Sequence, residues 1–410
     1  MAGPVIISMN SLLATLRPGM RVFVPGSSGE PRSFLAALAN ADESIAGIEL
    51  VTNFLPGINR LDPSLHSAGI RTTAFFGLPG LGPDDTILPL SYREIDDYLR
   101  NNPVDLAVVQ LSPPDAHGNC SFGPCVEFSR TALLTAHRTV GLINPRLIPH
   151  NNGPFFPFAD LASVVHVDQE PLAIAEPAGD DVARSIAGNV AALIADGATL
   201  QLGIGKIPGQ ILRALTNHRD LRIRSGIVMP GLRLLAESGA LADAEIVAAS
   251  AGGDADFYRW VAENPAIRLA GVTETHDLTA IAAISGFTAI NSAIEIDLLG
   301  QCNAETLSGR VVSGPGGLPQ FTAGARQAPK GCSIVALPAT DSSGSVSRIV
   351  AAMRPGAPVS VPAHGVDFIV TEFGAADLRC KPRAARALEI AGIAAPDFRQ
   401  SLKRAALKLA

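Results

Sequence analysis

Neither a CxxC pair nor a cluster of histidines accompanies the five cysteines, Cys120, Cys125, Cys302, Cys332 and Cys380. That spacing indicates neither a zinc site nor a disulfide framework, and no metal is expected. The odd count suits a reducing compartment, so the expected location is the cytoplasm. Positive charge is not in surplus, since the net charge is −6 and aromatic residues make up 5% of the chain. Such a protein lacks both the basic surface and the stacking platforms of a nucleic-acid binder. A local basic site for a small anionic ligand stays compatible with these numbers. No apolar run is long enough for a membrane helix. The most apolar window, LTAIAAISGFTAI, falls short of the ~20 residues needed and contains Gly286. The N-terminus, MAGPVIISMNSLLATLRPGM, has no basic stretch before its apolar residues, which argues against a signal peptide.

What is present is aliphatic bulk: 47% hydrophobic against 17% charged residues over 410 positions. A chain of this length favours two domains, because single cores rarely grow past ~250–300 residues. Short β-branched runs alternate with helical patterns. RVFVP, GIELVTN, RTTAFF, DLAVVQL and TVGLIN read as buried strands bounded by Gly, Pro or Asn. SFLAALANA, SYREIDDYLRNN and SRTALLTAHR between them carry helical spacing. The alternation predicts parallel sheets covered by helices. The pattern then restarts. Residues 19–40 (GMRVFVPGSSGEPRSFLAALAN) and 197–217 (GATLQLGIGKIPGQILRALTN) both run Gly, strand, Gly-rich loop, Pro, helix, Asn. A helical segment precedes each copy. The expectation is two similar α/β domains, 1–175 and 176–410, joined in the Pro-rich acidic stretch near 168–182, with the GIGKIP and SGPGG loops in the second.

Several segments carry residues suited to chemistry. LGIGKIPG ends a strand in a flexible loop that opens a helix, where backbone N–H groups favour an anion and Lys206 adds a cation. SGPGGLPQF holds consecutive glycines that either present N–H groups to an oxyanion or form a tight turn. In LSPPDAHGNCSFG, Asp115 and His117 read as functional or as turn-forming polar residues. INSAIEIDLLGQCN alternates like a strand with Glu295 and Asp297 on one side, and VTEFGAADLR reads as a strand entering a helix with Glu372 and Arg379 paired.

The order of these segments is more specific than any one of them. SPPDAHGNCSFG, LQLGIGKIP, INSAIEIDLLGQCN, SGPGGLPQF, SRIV, VTEFGAADLR and APDFRQSL together resemble the acetyl-CoA hydrolase/transferase family, which includes the 4-hydroxybutyrate CoA-transferases. The resemblance implies two similar open, mostly parallel α/β domains with the active site in the cleft between them. It implies an acyl-CoA as substrate, so that coenzyme A enters with the substrate and no cofactor is held permanently. It further implies a homodimer or higher homo-oligomer. Gly203, Gly205, Lys206 and Pro208 correspond to the CoA-binding loop, and Gly316 and Gly317 to oxyanion donors.

The resemblance also marks a departure. In 4-hydroxybutyrate-type relatives a glutamate attacks the thioester, and counting forward from LGIGKIP places that position on Gly226, within RIRSGIVMPG. After Gly316 and Gly317, Leu318-Pro319-Gln320 replaces the polar continuation usual in relatives, and His276 stands where relatives tend to carry asparagine. Three readings follow. In the first, a water enters the space left at 226, and His276, Glu30 or Glu295 serves as general base for thioester hydrolysis or for C–C or ring-opening cleavage, as in steroid-ring-opening hydrolases of the same superfamily. In the second, another carboxylate, foremost Glu30, takes over as nucleophile and transfer between acids persists. In the third, the chain binds CoA without catalysis. The structural alternatives are a helix-capping role for His276 near Asp277 and a turn or cap role for Glu30.

Overall fold

Strand β1 (Val5–Ile6), helix α1 (Met9–Leu13), strand β2 (Arg21–Val24) and helix α2 (Arg32–Ala39) open the computed structural model, which describes residues 3–41, 45–150 and 152–409. The chain divides into two compact units. One holds Met1–Ala175, Val247–Thr275 and Val312–Gly316, the other Glu176–Ile246, His276–Val311 and Gly317–Ala410. Two short stretches from beyond residue 175 thus cluster with the N-terminal segment.

In the first unit the sheet continues through β3 (Glu49–Thr52), β4 (Arg71–Ala74), β5 (Thr86–Ile87), β6 (Leu106–Leu111), β7 (Arg138–Ile143) and β8 (Ser163–His166). Its order is β1-β8-β7-β6-β2-β3-β4-β5, and each of these pairs is parallel. Burial on both faces explains the near-continuous apolar runs. All six residues of β6, LAVVQL, are buried. Its Gln110 is satisfied inside the core: Nε2 donates to the Glu30 carbonyl (2.6 Å) and Oε1 accepts from Asn144 Nδ2 (3.0 Å). That amide ties the loop after β2 to the strand beside it.

The second unit opens with α3 (Asp181–Ala191), β9 (Thr199–Leu202) and α4 (Lys206–Ala214), the same helix–strand–loop–helix sequence as α1, β2 and α2. Among the strands of this unit, β10 (Arg222–Val228), β11 (Phe287–Ser292), β12 (Cys332–Ala336), β13 (Phe368–Thr371) and β14 (Gly374–Asp377) follow with β9 in the order β10-β9-β11-β12-β13-β14. All pairs are parallel except the last. Mostly parallel α/β architecture, as expected, therefore holds in both units.

That last pair corrects one expectation. VTEFGAADLR is not a strand entering a helix but an antiparallel hairpin, turned at Gly374 (φ +134°). Arg379 pairs with Asp377 (2.8 Å), while the Glu372 carboxylate accepts from the Ala339 N–H (2.9 Å). INSAIEIDLLGQCN is likewise broken. β11 stops at Ser292, and a three-residue strand, Glu295–Asp297, follows in a separate sheet. Asp297 is buried and accepts from the Leu299 and Gln301 N–H groups, a turn-forming role.

Candidate functional site

Strand β10 carries RIRSGIV, and its side chains alternate in direction, so Arg224 and Gly226 share a face. On that face Gly226 meets His276. A Cβ built on Gly226 would lie 3.3 Å from His276 Nε2 and 3.4 Å from its Cε1, with Phe321 Cε2 at 3.8 Å. The imidazole occupies the volume into which a side chain at 226 would project. The expected water-sized space is therefore not there, because a neighbouring residue fills it.

His276 reaches this position by local chain geometry. A helical turn, Val272–Thr275, ends just before it, and Asp277 caps the next helix, α5 (Leu278–Ala282), by accepting from the Ala280 N–H (2.7 Å). Capping thus falls to Asp277, and the His276 ring turns inward, 1% exposed, at 4.6 Å from the Phe321 ring centroid. The surface-capping alternative for His276 is corrected by its burial. Burial pushes its pKa down to about 3, with the Arg224 guanidinium adding to the effect. The imidazole is neutral throughout the physiological range.

The third wall is the start of helix α6 (Leu318–Gln327), capped by Gly317 without a side-chain hydrogen bond. A Cβ on Gly317 would stand 2.6 Å from His276 Nε2 and 2.9 Å from Phe321 Cε2, closer than atoms approach, so only glycine fits. N–H groups at a helix start carry partial positive charge and have no acceptor within the helix. Glycine, imidazole and helix start are thus brought together in the second unit. The adjacent Gly316 belongs to the first unit, has φ +55° and gives its carbonyl to the Tyr92 N–H (2.9 Å).

The LGIGKIPG loop lies in the second unit as well. Gly205 (φ +116°) stands at the cap of α4, and a Cβ on Gly203 or Gly205 would meet nothing within 4 Å, so the loop presents bare backbone. Ile204, Lys206, Pro208 and Ser292 line a cavity of about 230 Å³ beside it. Lys206 Nζ is engaged there by Asp180 (2.8 Å), a half-exposed pair that holds the Asp180 carboxyl below its ordinary range. Glu295 borders a separate cavity of about 650 Å³.

In the first unit Glu30 closes the 3-10 turn Ser27–Gly29 and accepts from Asn59 Nδ2 (2.5 Å). Burial raises its carboxyl pKa against the opposing hydrogen bond from Asn59. Asp115 and His117 form an exposed turn in which Asp115 accepts the His117 and Asn119 N–H groups. Sequence reasoning passed over Glu127. It is 2% exposed, has φ +33°, and accepts from Ser250 Oγ (2.7 Å) and Asn53 Nδ2 (2.8 Å). Burial pushes its pKa up to about 7. The only sequence signal is one acid inside the apolar run FGPCVEFSRTALL. Among the described residues no group of His, Cys, Asp and Glu is placed to hold a metal ion, and no helix is long and apolar enough to cross a membrane.

Comparison with known proteins identifies the family. Residues 253–406 match the acetyl-CoA hydrolase/transferase C-terminal domain. The chain is 30% identical over 412 residues to 4-hydroxybutyrate coenzyme A transferase of Clostridium kluyveri, covering 97% of this chain and 96% of that one. It is also 30% identical to the succinyl-CoA:cyclohexane-1-carboxylate CoA transferase of Geobacter metallireducens, covering 97% and 93%. Among solved structures, RipA from Yersinia pestis superposes with a TM-score of 0.91 at 26% identity, over 98% of this chain and 97% of that one. Sequence similarity along nearly the whole length, carried on the same α/β architecture, makes the chain a member of the acetyl-CoA hydrolase/transferase family and an enzyme of CoA thioesters.

Proposed function

We propose that this enzyme cleaves an acyl-CoA with water, by thioester hydrolysis or by C–C or ring-opening cleavage, using His276 as the base and the Gly317 end of α6 as the oxyanion donor. The observation that carries the reading is that His276 Nε2 stands in the space a Cβ on either Gly226 or Gly317 would enter. Residue 226 has no side chain with which to form a covalent acyl-enzyme. A neutral imidazole in that volume begins in its base form. It takes a proton from water as the water oxygen bonds to the thioester carbonyl carbon. The carbonyl oxygen becomes an oxyanion facing the N–H groups at the helix start. The C–S bond then breaks, and the proton returns from His276 to the CoA thiolate. The negative oxyanion offsets the burial cost of the transient imidazolium. Gly203, Gly205 and Pro208 serve as the CoA-facing loop in this reading, with Lys206 sharing its charge between Asp180 and the ligand.

A second reading, CoA transfer through Glu30, draws support from the raised pKa of its carboxyl and from its loop being the counterpart of LGIGKIP. Mass spectrometry on a panel of acyl-CoAs, with and without excess acetate or succinate, separates the two. Free CoA or a water-added CoA ester without any acceptor supports cleavage by water. New acyl-CoA formed only with an acceptor refutes it in favour of transfer.

A further inference from the structure

We infer that the first unit holds a second binding site, a cavity at His150 that takes a small uncharged molecule with an apolar body and one hydrogen-bond donor. The cavity measures about 240 Å³. That is far more than the ~15 Å³ one water needs. Every residue lining it belongs to the first unit, so it shares none with the pocket formed by Gly226, His276 and Gly317. One wall is a face of the helix Ala255–Glu263, where Ala255, Tyr258, Arg259 and Ala262 recur at three- and four-residue spacing. The two alanines leave room that longer side chains would fill. Pro145, Ile148 and Pro171 line it from the loops and make it largely apolar.

His150 is 2% exposed, and among the described residues neither of its ring nitrogens makes a hydrogen bond. Folded proteins rarely leave such a group unpaired. Burial pushes its pKa down to about 4, opposed by the Val261 carbonyl, which acts on the ring without completing a hydrogen bond. The ring is therefore neutral, with one N–H and one lone pair. A carbonyl only accepts, so it draws the N–H to its own side and leaves the lone pair on the other nitrogen. What that nitrogen lacks is a donor. Tyr258 does not supply it, since its hydroxyl donates to the Leu172 carbonyl (2.6 Å). The charges at the mouth are already neutralised: Arg146 pairs with Asp168 (2.6 Å) and Glu170 (3.4 Å), and Arg259 with Asp256 (3.0 Å). None of them shifts His150. An ion moving inward loses its hydration and finds no counter-charge, and a carboxylate has no proton to give. Water donates but leaves the apolar walls unfilled. A hydroxyl or amide N–H on a short hydrocarbon body serves both.

Butan-1-ol, methyl propyl ether, butyrate and butylammonium, alike in size but not in donor or charge, are the probes, and calorimetry on the whole protein is the assay. Butan-1-ol should bind saturably and at least about tenfold more tightly than the ether, which leaves the His150 lone pair unpaired. Neither ion should displace it. Ala262→Leu should abolish the binding by filling the cavity, and His150→Phe should keep it while losing the preference for alcohol over ether. An alcohol that binds no more tightly than the ether overturns the proposal. So does the absence of saturable binding in the millimolar range, which leaves the cavity to water. Full butan-1-ol affinity in a folded Ala262→Leu protein places the ligand elsewhere and overturns it as well. The wild-type comparison of alcohol with ether decides the matter even if neither variant folds.

Discussion

Raising the pH from about 4.5 to about 8.5 should cost the folded protein about 3 kcal/mol through one side chain, Glu127, whose pKa stands at about 7 against an ordinary 4.5. Below both values the carboxyl is protonated whether the chain is folded or not. Between them the unfolded chain has released its proton and the folded chain has not, so stability falls by up to ~1.4 kcal/mol per pH unit. Above about 7 the loss is complete. Glu127→Gln removes the titration while keeping the shape. Asn53 cannot reverse its amide, because its Oδ1 accepts from the Gly26 N–H (2.9 Å), so its Nδ2 donates to the new amide oxygen as it does to the carboxylate. Ser250 Oγ turns from donating to accepting. Cys125 and Tyr92, on which the Glu127 charge acts, are pushed upward by burial first and stay neutral through this range.

Urea unfolding of both proteins at a series of pH values is the assay. The constant cost of the substitution drops out of the difference, and only the linkage remains. The variant should gain about 3 kcal/mol on the wild type across the range, with most of the change between pH ~5 and ~7. A difference that stays flat with pH would refute the assignment of a buried, uncompensated charge to this carboxylate.

His276→Asn should lower turnover by about 10²-fold or more, the usual worth of a general base, with acyl-CoA affinity nearly unchanged by calorimetry. The wild-type kcat/KM profile should show no ionisation from His276 between pH ~5 and ~9, because its pKa lies near 3. Gly226→Glu should cost about 1–3 kcal/mol in a melt, since its Cβ starts 3.3 Å from His276 Nε2 and the rest of the side chain must displace the ring. Lys206→Ala should change stability by less than about 0.5 kcal/mol, the Lys206–Asp180 pair being half-exposed, while flattening the salt dependence of CoA binding.

The alternation of apolar runs with helical patterns was legible because burial on both faces leaves a strand almost no polar position. LAVVQL and TVGLI need no partner to be read. The repeated strand–loop–helix sequence around residues 19–40 and 197–217 was visible for the same reason. What escaped depended on contacts remote in sequence. VTEFGAADLR contains a strand and a Gly-marked turn, but only packing tells whether the chain then coils or pairs back. Asp297 and Glu295 looked equivalent two residues apart, yet the first is drawn into a turn by two backbone N–H groups. Glu127 gave no local sign beyond its place in an apolar run, because its partners, Asn53 and Ser250, lie far away in the chain. Glycine at 226 was readable as a missing side chain, but not that another residue stood in its place.

That last pairing limits what sequence variation at this site can do. Positions 226 and 276 compete for one volume, and Gly317 and Phe321 close it from the other side. Gly317 cannot yield, since even a methyl group there would overlap the imidazole. A carboxylate at 226 and an imidazole at 276 are therefore alternatives, and restoring an acid requires a smaller residue at 276 in the same step. The double substitution Gly226→Glu with His276→Asn should recover about 1 kcal/mol or more of the stability lost in Gly226→Glu alone, because residues in contact do not act additively. If the proteins are denatured after exposure to acyl-CoA, the double variant should hold a covalent CoA thioester visible as added mass, and the wild type should not. Additive stabilities would show that the two side chains do not share the volume. An adduct on the wild type would show that a carboxylate other than residue 226 is the nucleophile.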